Sequence, residues 1–63
     1  MRIKQLREAA KLSQRDLAEM LGVSNAAVAM WESGKNRIST GYLERLADIF
    51  GVTTDYILGR EPA

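Results

Sequence analysis

The sequence predicts an all-α fold of five short helices, on three observations. Apolar residues recur at three- and four-residue spacing from Ile3 to Leu58, the period of helices that bury one face. Hydroxyl residues open the runs and glycines close most of them: Ser13 and Gly22, Ser24 and Gly34, Ser39 or Thr40 and Gly51, with Thr53 opening the last. Such hydroxyls accept from the unpaired N–H groups of a helix start, and glycine readily enters the left-handed conformation that ends one. Finally, the 63 residues include no cysteine and no histidine. Disulfides and Cys/His zinc sites are therefore excluded as supports, and the helices must hold one another.

Helix one is expected from about Arg2 to Ala10, with Ile3, Leu6 and Ala10 on its buried face and Lys4, Glu8 and Lys11 in water. Arg7 lies beside that stripe and needs a partner, while Leu12 plugs the following turn. Helix two is expected over Gln14 to Leu21, because Ser13 and Asp16 have the spacing of a capping box and Leu17, Ala18 and Leu21 share the apolar face. Helix three spans Asn25 to Ser33. Turning Val28 and Trp31 inward puts Asn25, Ala26, Ala29, Met30 and Ser33 on the outward side. Trp31 reads as core, whereas Met30 fits either a core gap or an exterior contact.

Helix four carries Leu43, Leu46, Ala47 and Phe50 on its buried stripe and ends at Gly51. Gly41 in its first turn is unfavourable by about 1 kcal/mol relative to alanine, and would permit close approach of a phosphate or a neighbouring helix. Tyr42 has two readings, a buried ring or a hydroxyl offered outward. Thr53 caps a final helix to about Leu58, with Asp55 near its positive end. Gly59 to Ala63 reads as a tail or the start of a linker, where Pro62 bars any continuation of the helix.

Net charge is only +1, but it is unevenly placed. Arg2, Lys4, Arg7, Lys11 and Arg15 stand against Glu8 alone in the first fifteen residues, and Lys35 and Arg37 form a second patch. Both patches flank the stretch from Ser13 to Ser33, where a nucleic-acid backbone would run, although any one of these residues also suits an ordinary solvated surface. No apolar run approaches the ~18 residues of a membrane span. Met1 to Leu12 is charged throughout, unlike a secretory signal. A cytoplasmic protein is expected. With neither thiol nor imidazole, and with its glycines at helix caps instead of in a phosphate loop, the chain is not expected to be an enzyme or to hold a cofactor or metal.

The run LSQRDLAEMLGVSNAAVAMWESGK resembles the DNA-binding helix-turn-helix of the Cro/cI-type (Xre-like) repressors. The matching marks are Ser13-Gln14, Leu17-Ala18, Leu21-Gly22-Val23-Ser24, Trp31-Glu32 and Gly34-Lys35, followed by Leu46-Ala47, Phe50-Gly51-Val52 and Tyr56-Ile57-Leu58-Gly59. The similarity implies one compact lambda-repressor-like domain over residues 1–59, leaving 60–63 as tail. It implies a regulator of transcription, most simply a repressor, that binds specific double-stranded DNA as a dimer on a two-fold operator, with no small-molecule ligand evident.

The resemblance also assigns residues. Arg7 and Glu32 would form a structural pair tying helix one to helix three. Asn25, Ala26, Ala29 and Met30 would meet bases. Gln14, Arg15, Ser24, Ser33, Lys35, Asn36 and Arg37 would meet the DNA backbone, although Gln14 judged by itself is an ordinary surface helix residue. Tyr56, Ile57 and Leu58 would be divided between the core and a small dimer contact. Where relatives carry Gln, Arg or Lys on the recognition helix, this chain has Ala and Met, which shifts the expectation toward A·T-rich sites and shape-dependent readout. Ile38 stands where many relatives have proline. The apolar face and near-neutral charge favour one rival: a protein-interaction module, such as an antitoxin or anti-regulator, built on the same helix-turn-helix.

Overall fold

The computed structural model describes residues 1–61; the expected helix-stopping role of Pro62 lies outside the described residues. Five helices follow one another: α1 (Ile3–Ala9), α2 (Gln14–Leu21), α3 (Asn25–Ser33), α4 (Thr40–Phe50) and α5 (Thr54–Ile57). No strand occurs among the described residues.

The capping signals act as the sequence expects at α2, α3 and α5. Ser13 Oγ accepts from the Asp16 N–H at 2.9 Å, and Asp16 Oδ2 accepts from the Ser13 N–H at 2.9 Å, completing the capping box. Ser24 Oγ accepts from the Ala27 N–H at 3.1 Å, and Thr53 Oγ1 from the Tyr56 N–H at 3.0 Å. Helix α4 differs: Ser39 has the extended backbone of a cap, yet neither it nor Thr40 supplies a capping hydrogen bond. Gly22, with φ 72°, ends α2 in the left-handed conformation and turns the chain into α3.

Helix α1 is shorter than its apolar spacing predicts. It stops at Ala9 because Lys11 takes φ 59° and the Leu12 N–H reaches back to the Arg7 carbonyl at 3.0 Å. This is a left-handed terminator without glycine, and Ala10 is left exposed instead of joining Ile3 on the buried face. At its other end, the Arg2 N–H donates to the Ile57 carbonyl at 2.8 Å and joins the first helix to the last. The tail is tied as well. Arg60 N–H donates to the Asp55 carbonyl, Arg2 donates to the Glu61 carbonyl, and Thr53 donates to the Glu61 carboxylate.

The core is a single cluster, in which Leu17, Val28, Leu46 and Ile57 are wholly enclosed. Each such side chain contributes about 1.5–3 kcal/mol by leaving water. Leu6 and Phe50 pack against the cluster while partly exposed. Trp31 is buried, and the Tyr42 ring lies against it at 5.6 Å between centroids, so Tyr42 spends its ring on packing. One long-range tie has no local sequence signal. Arg45 of α4 donates to the Leu21 and Met20 carbonyls at 3.0 and 3.2 Å, satisfying the end of α2 with a cation where the helix dipole favours one.

Of the two readings of Gly41, the structure rules out the neighbouring helix, because a Cβ built there would meet nothing within 4 Å. No neighbouring helix needs the space. Two substitutions should therefore raise stability in a denaturation experiment: Gly41→Ala by up to about 1 kcal/mol through helix propensity, and Lys11→Gly by a similar amount through relief of the left-handed backbone. If Gly41→Ala stabilises the fold but weakens a ligand, the missing methyl is serving that ligand.

Candidate nucleic-acid interface

The placement of α3 depends on one buried ion pair. Arg7 Nε donates to Glu32 Oε2 at 2.7 Å and a second guanidinium nitrogen donates to Oε1 at 3.2 Å, while the third donates to the Leu12 carbonyl at 2.8 Å. The side chains are only 11% and 4% exposed. Gln14 Nε2 adds a third bond to Glu32, at 3.1 Å. One carboxylate thereby gathers α1, the start of α2 and the end of α3. Burial alone disfavours the charged Glu32, but hydrogen bonds from Arg7 and Gln14 and the charges of Arg7 and Lys4 outweigh it, so its pKa falls below the ordinary 4.5. The hydrogen bond to Glu32 chiefly raises the pKa of Arg7.

With Val28 and Trp31 held inside, α3 turns a stripe of small and apolar residues outward. Asn25, Ala26 and Ser33 are exposed, and Ala29 and Met30 are partly buried beside them. Methyl groups dominate this face, which lets the α3 backbone approach a flat partner closely. Asn25 at its leading end supplies a donor and an acceptor in one amide plane. Ser24 keeps its hydroxyl proton available after capping, whereas Ser33 donates to the Met30 carbonyl at 3.2 Å.

Around the stripe stand the polar candidates. Lys35 and Arg37 are exposed on the loop after α3, and neither appears in an ion pair among the described residues. Arg15 is exposed and reaches Glu19 at 3.5 Å, a surface pair worth little. Gln14 is partly buried because its amide is drawn to Glu32, which leaves one of its two N–H bonds and its oxygen for the outside. Asn36 also differs from a free loop side chain: its Nδ2 donates to the Met30 sulfur at 3.3 Å. Sequence spacing carries no signal for that contact.

Of the residues expected at a dimer contact, Ile57 is corrected. It is 0% exposed, lies within the core cluster, and has no surface to offer. Tyr56 is partly buried under the Arg2 guanidinium, which sits 4.3 Å from its ring centroid. Leu58 is partly buried and packs against the core with one side. With the other it lines a cleft of about 390 Å³, bounded also by Met1, Ile38 and Leu43 and, from the loop after α3 and the tail, by Gly34, Asn36, Arg37 and Arg60. Among the described residues, no cluster of carboxylates capable of holding a metal is found, and no helix is long and apolar enough to cross a membrane.

Residues 3–57 match the family described as Helix-turn-helix, and the chain belongs to that family, of the Cro/cI (Xre-like) type. Its relatives include AnsR of Bacillus subtilis (strain 168), named as an HTH-type transcriptional regulator, which is 40% identical over 60 residues, 95% of this chain and 52% of AnsR. BcrR of Enterococcus faecalis, named as an HTH-type transcriptional activator, is also 40% identical over 60 residues, 95% of this chain but 29% of BcrR. ImmR of Bacillus subtilis (strain 168), named as an HTH-type transcriptional regulator, is 32% identical over 60 residues, 95% of this chain and 47% of ImmR. The chain thus spans about half or less of these relatives. No solved structure matches the chain.

The ion pair leads to a pH prediction. A carboxylate whose folded pKa is lowered contributes stability above its unfolded pKa and loses it as pH falls through the folded value. Unfolding free energy should therefore hold steady above about pH 5 and fall as pH drops below the ordinary 4.5 of Glu32. Asp16, whose pKa is lowered by its bonds to Ser13, adds a loss of the same sign. In Glu32→Gln the acid-dependent loss should shrink to the Asp16 contribution. Stability at pH 7 should drop by about 3 kcal/mol, because Arg7 keeps a buried charge without its counter-ion. Chemical denaturation from pH 3 to 7 on both proteins measures this, and an unchanged pH profile in the variant would remove Glu32 from the account.

Proposed function

We propose that this domain is a transcriptional regulator that binds specific duplex DNA in the cytoplasm, with α3 as its reading helix. The observation that carries the reading is the methyl-rich stripe of α3, led by Asn25 and followed directly by the exposed basic loop. A helix bearing small side chains fits the depth of a major groove. Asn25 pairs with adenine N6 and N7 through its amide. Ala26, Ala29 and Met30 pack on thymine methyls, and the scarcity of donors on this face leaves part of the specificity to DNA shape. Lys35 and Arg37 lie along one phosphate strand. The start of α2, with Gln14 and Arg15, meets the other, joined by Ser24 and Ser33. These contacts set register and carry little sequence information.

Two copies would bind a two-fold operator, joined through Leu58 and the apolar rim formed by Met1 and Ile38, and repression would follow from occupying a promoter. The cleft there sets the apolar Met1, Ile38, Leu43 and Leu58 beside the polar Asn36, Arg37 and Arg60, and at about 390 Å³ it has room for several side chains of a second copy. Half-sites one turn of DNA apart are the geometric consequence.

The apolar character of α3 and the net charge of +1 favour one rival, in which the same face binds another protein. A selection of duplexes from a random pool, repeated at two salt concentrations, separates the readings. DNA reading is expected to enrich a palindrome with A·T-rich half-sites, bound with affinity that falls steeply with salt and with a log–log slope reduced by about 1 in Lys35→Ala. No enrichment overturns it. For the dimer, Leu58→Asp, with its fold checked by helical circular dichroism because Leu58 also packs against the core, should abolish cooperative occupation of the full palindrome and leave binding to an isolated half-site intact, as measured by titration of both duplexes.

A further inference from the structure

We infer that Asn36 is a positioning residue that acts through Met30, and that it sets discrimination at the base pair Met30 reads instead of serving as one more phosphate contact. The inference deepens the DNA-reading function and rests on it.

A methionine is a poor reader when left to itself. Three rotatable bonds let its thioether sample many positions, and ordering it against a base forfeits that freedom. Met30 is not left to itself. The Asn36 amide donates to its sulfur at 3.3 Å, directed at the end of the side chain that would reach a thymine methyl. Asn36 is itself held, since its backbone N–H donates to the Met30 carbonyl at 3.4 Å and the preceding Lys35 N–H donates to the same oxygen at 3.0 Å. Ser33 donates to that carbonyl as well, at 3.2 Å. The backbone bonds to the Met30 carbonyl fix where Asn36 stands, and from there its amide restrains the thioether through the single bond to sulfur.

The alternative role makes a different demand. A phosphate contact would use the amide's second N–H and does not need the bond to the sulfur. A lost phosphate contact weakens all sequences alike, whereas a lost positioning contact weakens only the preferred base at one position.

The experiment compares wild type, Asn36→Ala, Met30→Ala, the double variant and Lys35→Ala on the selected duplex and on its single-base-pair variants. Asn36→Ala is expected to reduce discrimination several-fold, up to about tenfold, at the same base pair that Met30→Ala relaxes. The double variant should match Met30→Ala alone. Lys35→Ala should weaken every duplex evenly. In the DNA-free domain, the Met30 methyl resonance should shift and gain mobility in Asn36→Ala while the helical circular dichroism is unchanged. Even weakening of all duplexes by Asn36→Ala, additivity in the double variant, or an unmoved Met30 methyl would each overturn the inference. Absence of any sequence discrimination by wild type is a separate outcome, which removes the DNA-reading function and this inference with it.

Discussion

The domain depends on a charge placed inside it. A chain of 63 residues encloses little apolar volume, and apolar contact alone constrains the rotation of one short helix on another only loosely. Glu32 supplies direction. Its two oxygens accept from Arg7 on α1 and from Gln14 at the start of α2, so the pitch and rotation of α3 are referred to both helices at once. The pair is costly to desolvate, and its net contribution to stability is smaller than its geometry suggests. Its consequence is positional: the outward stripe of α3 and the leading end of α2 form one surface of fixed relative orientation.

A second economy follows from size. Few residues are free to serve one purpose only. Trp31 and Val28 fill the core, and the turn of helix between them must then present Ala29 and Met30 outward. Ser24 caps α3 while standing at its exposed end. Arg45 lends a surface cation to the unsatisfied carbonyls of α2. Arg2 fastens α1 to α5 through its backbone and covers Tyr56 with its side chain. Each of these ties replaces core that the chain is too short to build.

The same logic shapes the interface. An α3 face poor in hydrogen-bonding groups does not compete with its own fold for partners, and it leaves the helix backbone accessible. Specificity then relies on where a few groups are held, and the bond from Asn36 to the Met30 sulfur is one way the loop limits their freedom.

What the sequence by itself determined is whatever acts over a few residues. The α2 and α3 boundaries, the Ser13–Asp16 box, the Ser24 and Thr53 caps and the Gly22 turn were all legible, because cap, stop and apolar period lie within one or two helical turns of each other. The outward stripe from Asn25 to Ser33 followed from the same period. The family resemblance, and not spacing, supplied Arg7 with Glu32. Tertiary structure decided the rest. Lys11 ends α1 in a conformation usually left to glycine, so Ala10 is lost from the buried face. Ile57 is wholly enclosed while its neighbour Leu58 looks into a cleft. Arg45 of α4 reaches α2 past the intervening α3, and Gln14 turns its amide inward to Glu32. Each of these outcomes depends on which distant group happens to be adjacent after packing. Local periodicity fixes the face a residue occupies, but the partner waiting on that face is set by chain segments far away in sequence.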